Sequence, residues 1–171
     1  MGLDQAMQGA VLQVIQPGSR ASFRRRVLDA MRSVVAAPGA FFCFGTHDAR
    51  AYADSTRYVD GAASSLRGTS LRLSAAFGFE PKSVAETPRR AYLGDELWPA
   101  DERAKLPYFA EHSAKDGLTQ VLLLFLHEGG VVFGLAGLER RASDPEFSAD
   151  DCQKLEALAP FVVTAARAQM S

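Results

Sequence analysis

The sequence predicts an α+β fold, in which N- and C-terminal helices pack on one face of a central antiparallel sheet and a loop-and-helix insertion covers the other. Three observations carry this. Apolar residues recur at helical spacing at both ends of the chain. Two pairs of apolar segments, 40–46 (AFFCFGT) with 51–59 (AYADSTRYV) and 121–126 (VLLLFL) with 131–138 (VVFGLAGL), are each joined by a short polar or glycine-rich turn. Between the pairs lies a long stretch of mixed periodicity broken by Gly and Pro.

Residues 1–37 are read as two helices. In the first, Leu3, Met7, Ala10, Val11 and Val14 share a face until Pro17-Gly18 stops the pattern. The second begins near Ser22, carries Phe23, Val27, Ala30, Met31 and Val34 inward, and ends before Pro38-Gly39, with a basic outer face containing Arg24, Arg25 and Arg26. Three consecutive helical residues spread over about 200° of the circumference, so these arginines read as a solvated face or a contact for an acidic partner surface. Segments 40–46 and 51–59 form the first hairpin, turning at 47–50. Residues 61–77 are partly helical and 78–94, with Pro81 and Pro88, form an irregular crossing. Pro99 suits the first turn of a helix reaching about His112, and Gly117 marks its exit. The unbroken apolar run 121–126 belongs to a strand covered on both faces. Glu128-Gly129-Gly130 makes the second hairpin turn, where Gly accepts positive φ. The last helix, 147–170, opens with a capping box between Ser148 and Asp151. It turns Leu155, Leu158, Ala159, Val162 and Ala166 inward and bends near Pro160.

Composition narrows the function. The chain has 171 residues, 47% hydrophobic and 23% charged, enough for one domain burying about 70% of its unfolded surface. Nineteen Lys and Arg against twenty Asp and Glu leave a net charge of −1, which supplies no positive field for nucleic acid. No apolar stretch approaches the roughly 20 residues needed to span a bilayer and no signal peptide opens the chain, so the cytoplasm is expected. Cys43 and Cys152 match neither a disulfide framework nor a Cys-x-x-Cys motif. Cys43, between Phe42 and Phe44, reads as an inert packed thiol. Cys152, in the first turn of the last helix where exposure is plausible, is the better redox candidate, though a packing role outweighs it. His47, Asp48, His112 and His127 lack metal-ligand spacing, so no metal is expected. His127, beside the glycine hairpin, reads as an ordinary solvated or satisfied histidine. No catalytic residues and no cofactor are predicted.

The C-terminal half carries Tyr108-Phe109, Gly117-Leu118, strand 121–126, Gly130-Val131-Val132-Phe133-Gly134, Gly137-Leu138-Glu139-Arg140-Arg141, and Phe147-Ser148-Ala149-Asp150-Asp151 leading to Leu155-Glu156-Ala157-Leu158-Ala159-Pro160. In these motifs it resembles the GAF-like sensory domain that precedes the helix-turn-helix in bacterial LuxR-type transcriptional regulators. Residues 24–35 and 40–44 fit the same plan more loosely. The resemblance implies a GAF/PAS-like sheet, a cytoplasmic sensor role, homodimerisation through the terminal helices, and a ligand site between the sheet and the segment 61–106. It directs attention to Phe77, Phe79, Tyr92, Trp98 and Phe109, aromatic residues of the kind that line small-molecule sites and equally fill cores. The helix-turn-helix of such regulators is expected to be absent from residues 1–171. The expected role is therefore an unidentified-ligand sensor within, or associated with, a bacterial regulator; the alternative is a ligand-free protein-interaction and dimerisation module of the same fold.

Overall fold

The computed structural model describes residues 4–67 and 69–170. Two helices, α1 (Gln5–Ile15) and α2 (Arg20–Val34), lead into β1 (Gly39–Phe44), β2 (Ser55–Val59) and β3 (Ala62–Ser64). The insertion follows as α3 (Leu73–Ala76), α4 (Pro81–Ala85), β4 (Ala91–Leu93), α5 (Gly94–Leu97), α6 (Ala100–Arg103), a π-helical turn (Phe109–Ser113) and a 3-10 turn (Ala114–Asp116). The long hairpin β5 (Leu118–Glu128) and β6 (Val131–Arg141) precedes α7 (Ala149–Met170). The predicted position of Leu3 lies outside the described residues.

The strands form one antiparallel sheet in the order β3-β2-β1-β6-β5-β4. Its two faces carry separate cores. Ala40, Phe42, Leu122, Leu124, Leu126, Ala136 and Leu138 pack against α1, α2 and α7, whereas Phe41, Cys43, Val121, Leu123, Phe125 and Leu135 face the insertion. The period of two along each strand sorts them. At the centre of the sheet the backbone opposite Phe41 is glycine because nothing else fits: a Cβ on Gly137 would lie 2.4 Å from the Phe41 ring.

Locally signalled elements form where expected. Gly129 and Gly130 adopt φ of +62° and +82° in the hairpin turn. Ser148 Oγ accepts from Asp151 N at 3.2 Å, while Ser148 N donates to the Asp151 carboxylate at 2.9 Å. Ser148→Ala should therefore cost about 1 kcal/mol in urea unfolding. All five predicted inward residues of α7 are buried, and the helix continues through Pro160, which stands on its exposed side.

Several expectations are corrected. The stretch from Pro99 to His112 is not one helix: α6 ends at Arg103, residues 104–106 turn, and helical backbone resumes at Pro107, whose missing N–H suits the first position of a new segment. Residues 51–54 are turns and not strand, because Ala51 N and Ala49 O pair with Leu71 and Leu73 of the insertion. The crossing 78–94 contains α4 and β4. Most of the basic face of α2 is tied down, not solvated. Arg24 donates to Thr56 Oγ1 at 2.9 Å and also pairs with Asp54, Arg20 reaches Asp54 at 3.2 Å, and Arg26 donates to Gln16 O at 2.7 Å.

The β4 border of the sheet is capped by side chains. Glu156 of α7 accepts from Arg90 N (2.6 Å) and Ala91 N, Glu96 accepts from Leu93 N (2.8 Å), and the Cys152 thiol donates to Ala91 O (3.1 Å). Cys152 is thus buried, as the favoured packing role requires and against the exposure its redox alternative needed, and burial raises its pKa. Among the described residues no helix is long and apolar enough to cross a membrane.

Candidate ligand-binding face

The insertion brings the predicted aromatic residues onto one face of the sheet. Phe77, in the turn after α3, is fully buried with its ring stacked on Phe41 (centroids 5.1 Å apart, 20° between planes) and on Tyr108 (4.6 Å, 28°). Phe109 meets Phe77 edge-on at 6.2 Å, and Trp98 meets Phe109 at 6.0 Å. Phe79 and Tyr92 reach the same core through Phe125, at 5.2 and 5.8 Å. Phe79, Tyr92 and Trp98 are half-buried, at the outer margin of the cover. The space directly over the sheet centre is filled by side chains.

Beneath the cover lies a polar cluster that the sequence reading missed. Glu139 of β6 is 1% exposed. Its carboxylate accepts from the Tyr108 hydroxyl at 2.6 Å and from Ser113 Oγ at 2.5 Å. Arg57 of β2 donates through Nε to Tyr108 Oη (3.2 Å), through one terminal nitrogen to Asp116 (2.8 Å) and through the other to His112 O (3.2 Å). Every ligand of this network except Arg57 and Glu139 comes from the segment 108–116, so the π-helical turn is fixed to two strands by hydrogen bonds. Burial raises the Glu139 carboxyl above its usual range, partly offset by the two hydroxyl donors and Arg57. Burial, then the Glu139 charge, pushes the Tyr108 phenol far up, so it serves as a neutral hydroxyl.

The signal for Glu139 was present in strand parity. Leu135, Gly137 and Glu139 alternate on the insertion face, yet Glu139-Arg140-Arg141 at the end of an apolar run reads as polar sequence leaving a strand. Arg57 and Ser113 carry no such pattern, since their partners lie 51 and 26 positions away.

Two buried polar atoms at the rim of the aromatic stack have no hydrogen-bond partner, Tyr52 Oη and His112 Nε2. Their rings meet edge to face at 5.2 Å, and Tyr52 lies 6.5 Å from Phe77 and 6.4 Å from Tyr108. Such atoms are uncommon in folded proteins and each has a cost unless something pairs with it. Burial lowers the His112 pKa, reinforced by Lys115 and Arg57, which favours neutral imidazole.

The remaining singled-out residues lie elsewhere or are inert. Cys43 is fully buried and its thiol pushed far up by desolvation. His127 is buried, with Nε2 3.0 Å from Arg89 O. His47 pairs with Asp48 at 3.6 Å. Among the described residues no three His, Cys, Asp or Glu side chains gather as a metal site. A polar cleft of about 260 Å³ opens beside the insertion, lined by residues that include Gly94, Arg103, Gln120 and Phe147; a second of about 330 Å³ includes Phe109 and Leu118.

No protein-family model matches the chain, and no curated protein matches it. Solved structures do. The chromophore-binding domain of a bacteriophytochrome from R. palustris is 11% identical with a TM-score of 0.57, the match covering 97% of this chain and 60% of that one. That of a Stigmatella aurantiaca bacteriophytochrome in the Pr state is 10% identical at 0.57, covering 95% and 59%. A protein in a far-red absorbing dark state with bound biliverdin IXa is 11% identical at 0.59, covering 98% and 100%. The chain therefore spans about three-fifths of the two bacteriophytochrome chains. At this identity the likeness concerns architecture, and the architecture is GAF-like: a six-stranded antiparallel sheet between terminal helices and an insertion.

Proposed function

We propose that this chain is a cytoplasmic regulatory GAF-like domain that senses a small molecule within, or in association with, a bacterial signalling or transcriptional regulator. The role is one of binding, with no catalytic step. The observation that supports it most is the convergence of Phe77, Tyr108, Tyr52 and His112 under a cover of short elements, with two buried polar atoms left for a partner. Helical pieces of four or five residues have no stability of their own and stay in place by packing alone. Such a cover opens at lower cost than the sheet or the terminal helices. Ligand occupancy would reach α7 through β4, whose backbone is bonded to Glu156 and Cys152.

Biliverdin, bound by one structural neighbour, does not fit this face. Phe41, Phe77 and Tyr108 occupy the middle, while Arg57 and Arg103 direct their donors to Asp116, Asp95, Tyr108 and backbone carbonyls. A linear tetrapyrrole with two carboxylates is therefore not assigned.

A thermal-shift screen of the full chain against a metabolite library tests the reading. A ligand at a hundred times its Kd adds about 2.7 kcal/mol, a rise on the order of 5–10 °C for a domain of this size. Failure of every compound to stabilise the protein would sink it. The filled sheet face favours a second reading, the ligand-free interaction or homodimerisation module, and Leu12 and Ile15 of α1 with Phe161 and Met170 of α7 stand exposed for such contacts. Sedimentation equilibrium separates them: a tight dimer together with an empty screen supports the second.

A further inference from the structure

We propose that the polar cleft beside the insertion is a binding site for a small apolar α-amino acid, whose carboxylate replaces Asp95 on the buried guanidinium of Arg103. The inference goes beyond the sensing face described above, because it uses neither the aromatic stack nor its two unpaired atoms.

Arg103, at the end of α6, is 6% exposed although it carries a full charge. A buried cation is retained only where acceptors answer it. Two do so among the described residues, Asp95 Oδ1 at 2.9 Å and Thr119 O at 3.2 Å. A guanidinium has five N–H donors, so this one keeps capacity for an acceptor with two oxygens. Its carboxylate partner is loosely placed: the Asp95 side chain is 83% exposed. An ion pair with one member in water contributes little, so a free carboxylate can take the place of Asp95. The sequence reserves room for the guanidinium. Gly94 does not adopt a positive φ, yet a Cβ there would lie 3.0 Å from Arg103 Nη1 and 2.6 Å from Val121 Cγ1. Packing demands the glycine, because only bare backbone lets the Arg103 head lie against it.

The charge and size of the cleft select the rest of the ligand. Its volume of about 260 Å³ falls below the roughly 300–1,000 Å³ of sites for drug-sized molecules, so the occupant is small. Asp95 and the exposed Glu146 stand on its walls with Arg103. A simple anion would meet that acidic pair, whereas the ammonium of an amino acid is attracted to it. Leu93, Val121 and Phe147 supply apolar wall for a short side chain. One side of the cleft belongs to the insertion and the other to the loop entering α7, where Phe147 N donates to Gln120 Oε1 at 3.2 Å. Occupancy therefore ties the insertion to the start of α7.

Calorimetric titration of the full chain with L-valine, and with isovalerate and isobutylamine as its deaminated and decarboxylated counterparts, tests the site. Wild type should bind L-valine more tightly than either counterpart by about tenfold or more, the worth of a hydrogen bond to a charged group. Arg103→Met should weaken L-valine by a similar factor, and Glu146→Gln should narrow its advantage over isovalerate. Asp95→Asn should instead tighten isovalerate, because the internal competitor has lost its charge. If circular dichroism shows Arg103→Met unfolded, the two variants at exposed positions carry the comparison. Absence of L-valine binding at millimolar concentration, equal affinity for L-valine and both counterparts, or isovalerate affinity unchanged by Asp95→Asn would overturn the proposal. L-Valine binding that survives Arg103→Met overturns this site while leaving the sensing role standing.

Discussion

Glu139→Ala is expected to cost about 3–5 kcal/mol of folding stability, the range for removing one partner from a buried charged network. The loss has a specific origin. Tyr108 and Ser113 would each keep a buried hydroxyl with no acceptor, and Arg57 would lose the acceptor behind Tyr108. Glu139→Gln should be far milder, because the amide oxygen accepts from one hydroxyl while its NH2 donates to the other. The pair of variants also differs in pH response. Burial holds the Glu139 carboxyl above its ordinary value of 4.5, so the folded protein retains a proton that the unfolded chain releases. The associated stability is fully present below the ordinary carboxylate range and is lost as pH rises through the raised value. Glu139→Gln has no such proton. Relative to wild type its stability should therefore improve between about pH 4 and about pH 8 in urea unfolding, and an unchanged difference across that range would contradict the placement of Glu139.

Phe42→Ala should be comparably severe, about 3–5 kcal/mol, lowering Tm on the order of 10 °C in calorimetry. Phe42 is fully buried on the helix side of β1, edge-on to Phe23 of α2 at 6.0 Å and stacked on Phe44 at 5.9 Å. Truncation leaves a void between the sheet and α2, which the fixed β1–β6 register prevents from closing. Leu12→Ala, at a position 61% exposed, serves as the control and should stay within about 0.5 kcal/mol.

The parts of the fold readable from sequence are those whose determinants are local. Gly129-Gly130 and the Ser148–Asp151 box each announce themselves within four residues, and the inward face of α7 repeats often enough to be unambiguous. The insertion is opaque for the opposite reason. β4 has three residues and exists because β5 lies beside it, and the turn at 46–54 takes its shape from residues 71–73. Pro107 was a legible breaker, and reading 99–112 as one helix passed over it. Of the five expected aromatic residues, Phe77 and Phe109 lie in one core and Phe79, Tyr92 and Trp98 pack against it, so their shared face was legible in the sequence. Their polar complement was not: Arg57, Ser113 and Glu139 come from three separate elements, and the period of two places only Glu139.

The capped border of the sheet bears on how this protein behaves at high concentration. An open strand margin is a template on which another chain can polymerise. Along β4 the outward amides of Ala91 and Leu93 are already engaged by carboxylates, and the Ala91 carbonyl by a thiol, so an incoming strand would find no groups to zip onto. The opposite margin, β3, is open but only three residues long, too short to seed a growing stack. Glu156→Leu would uncover the longer-range risk by freeing two amides at once, turning a self-terminating sheet into one able to recruit neighbours.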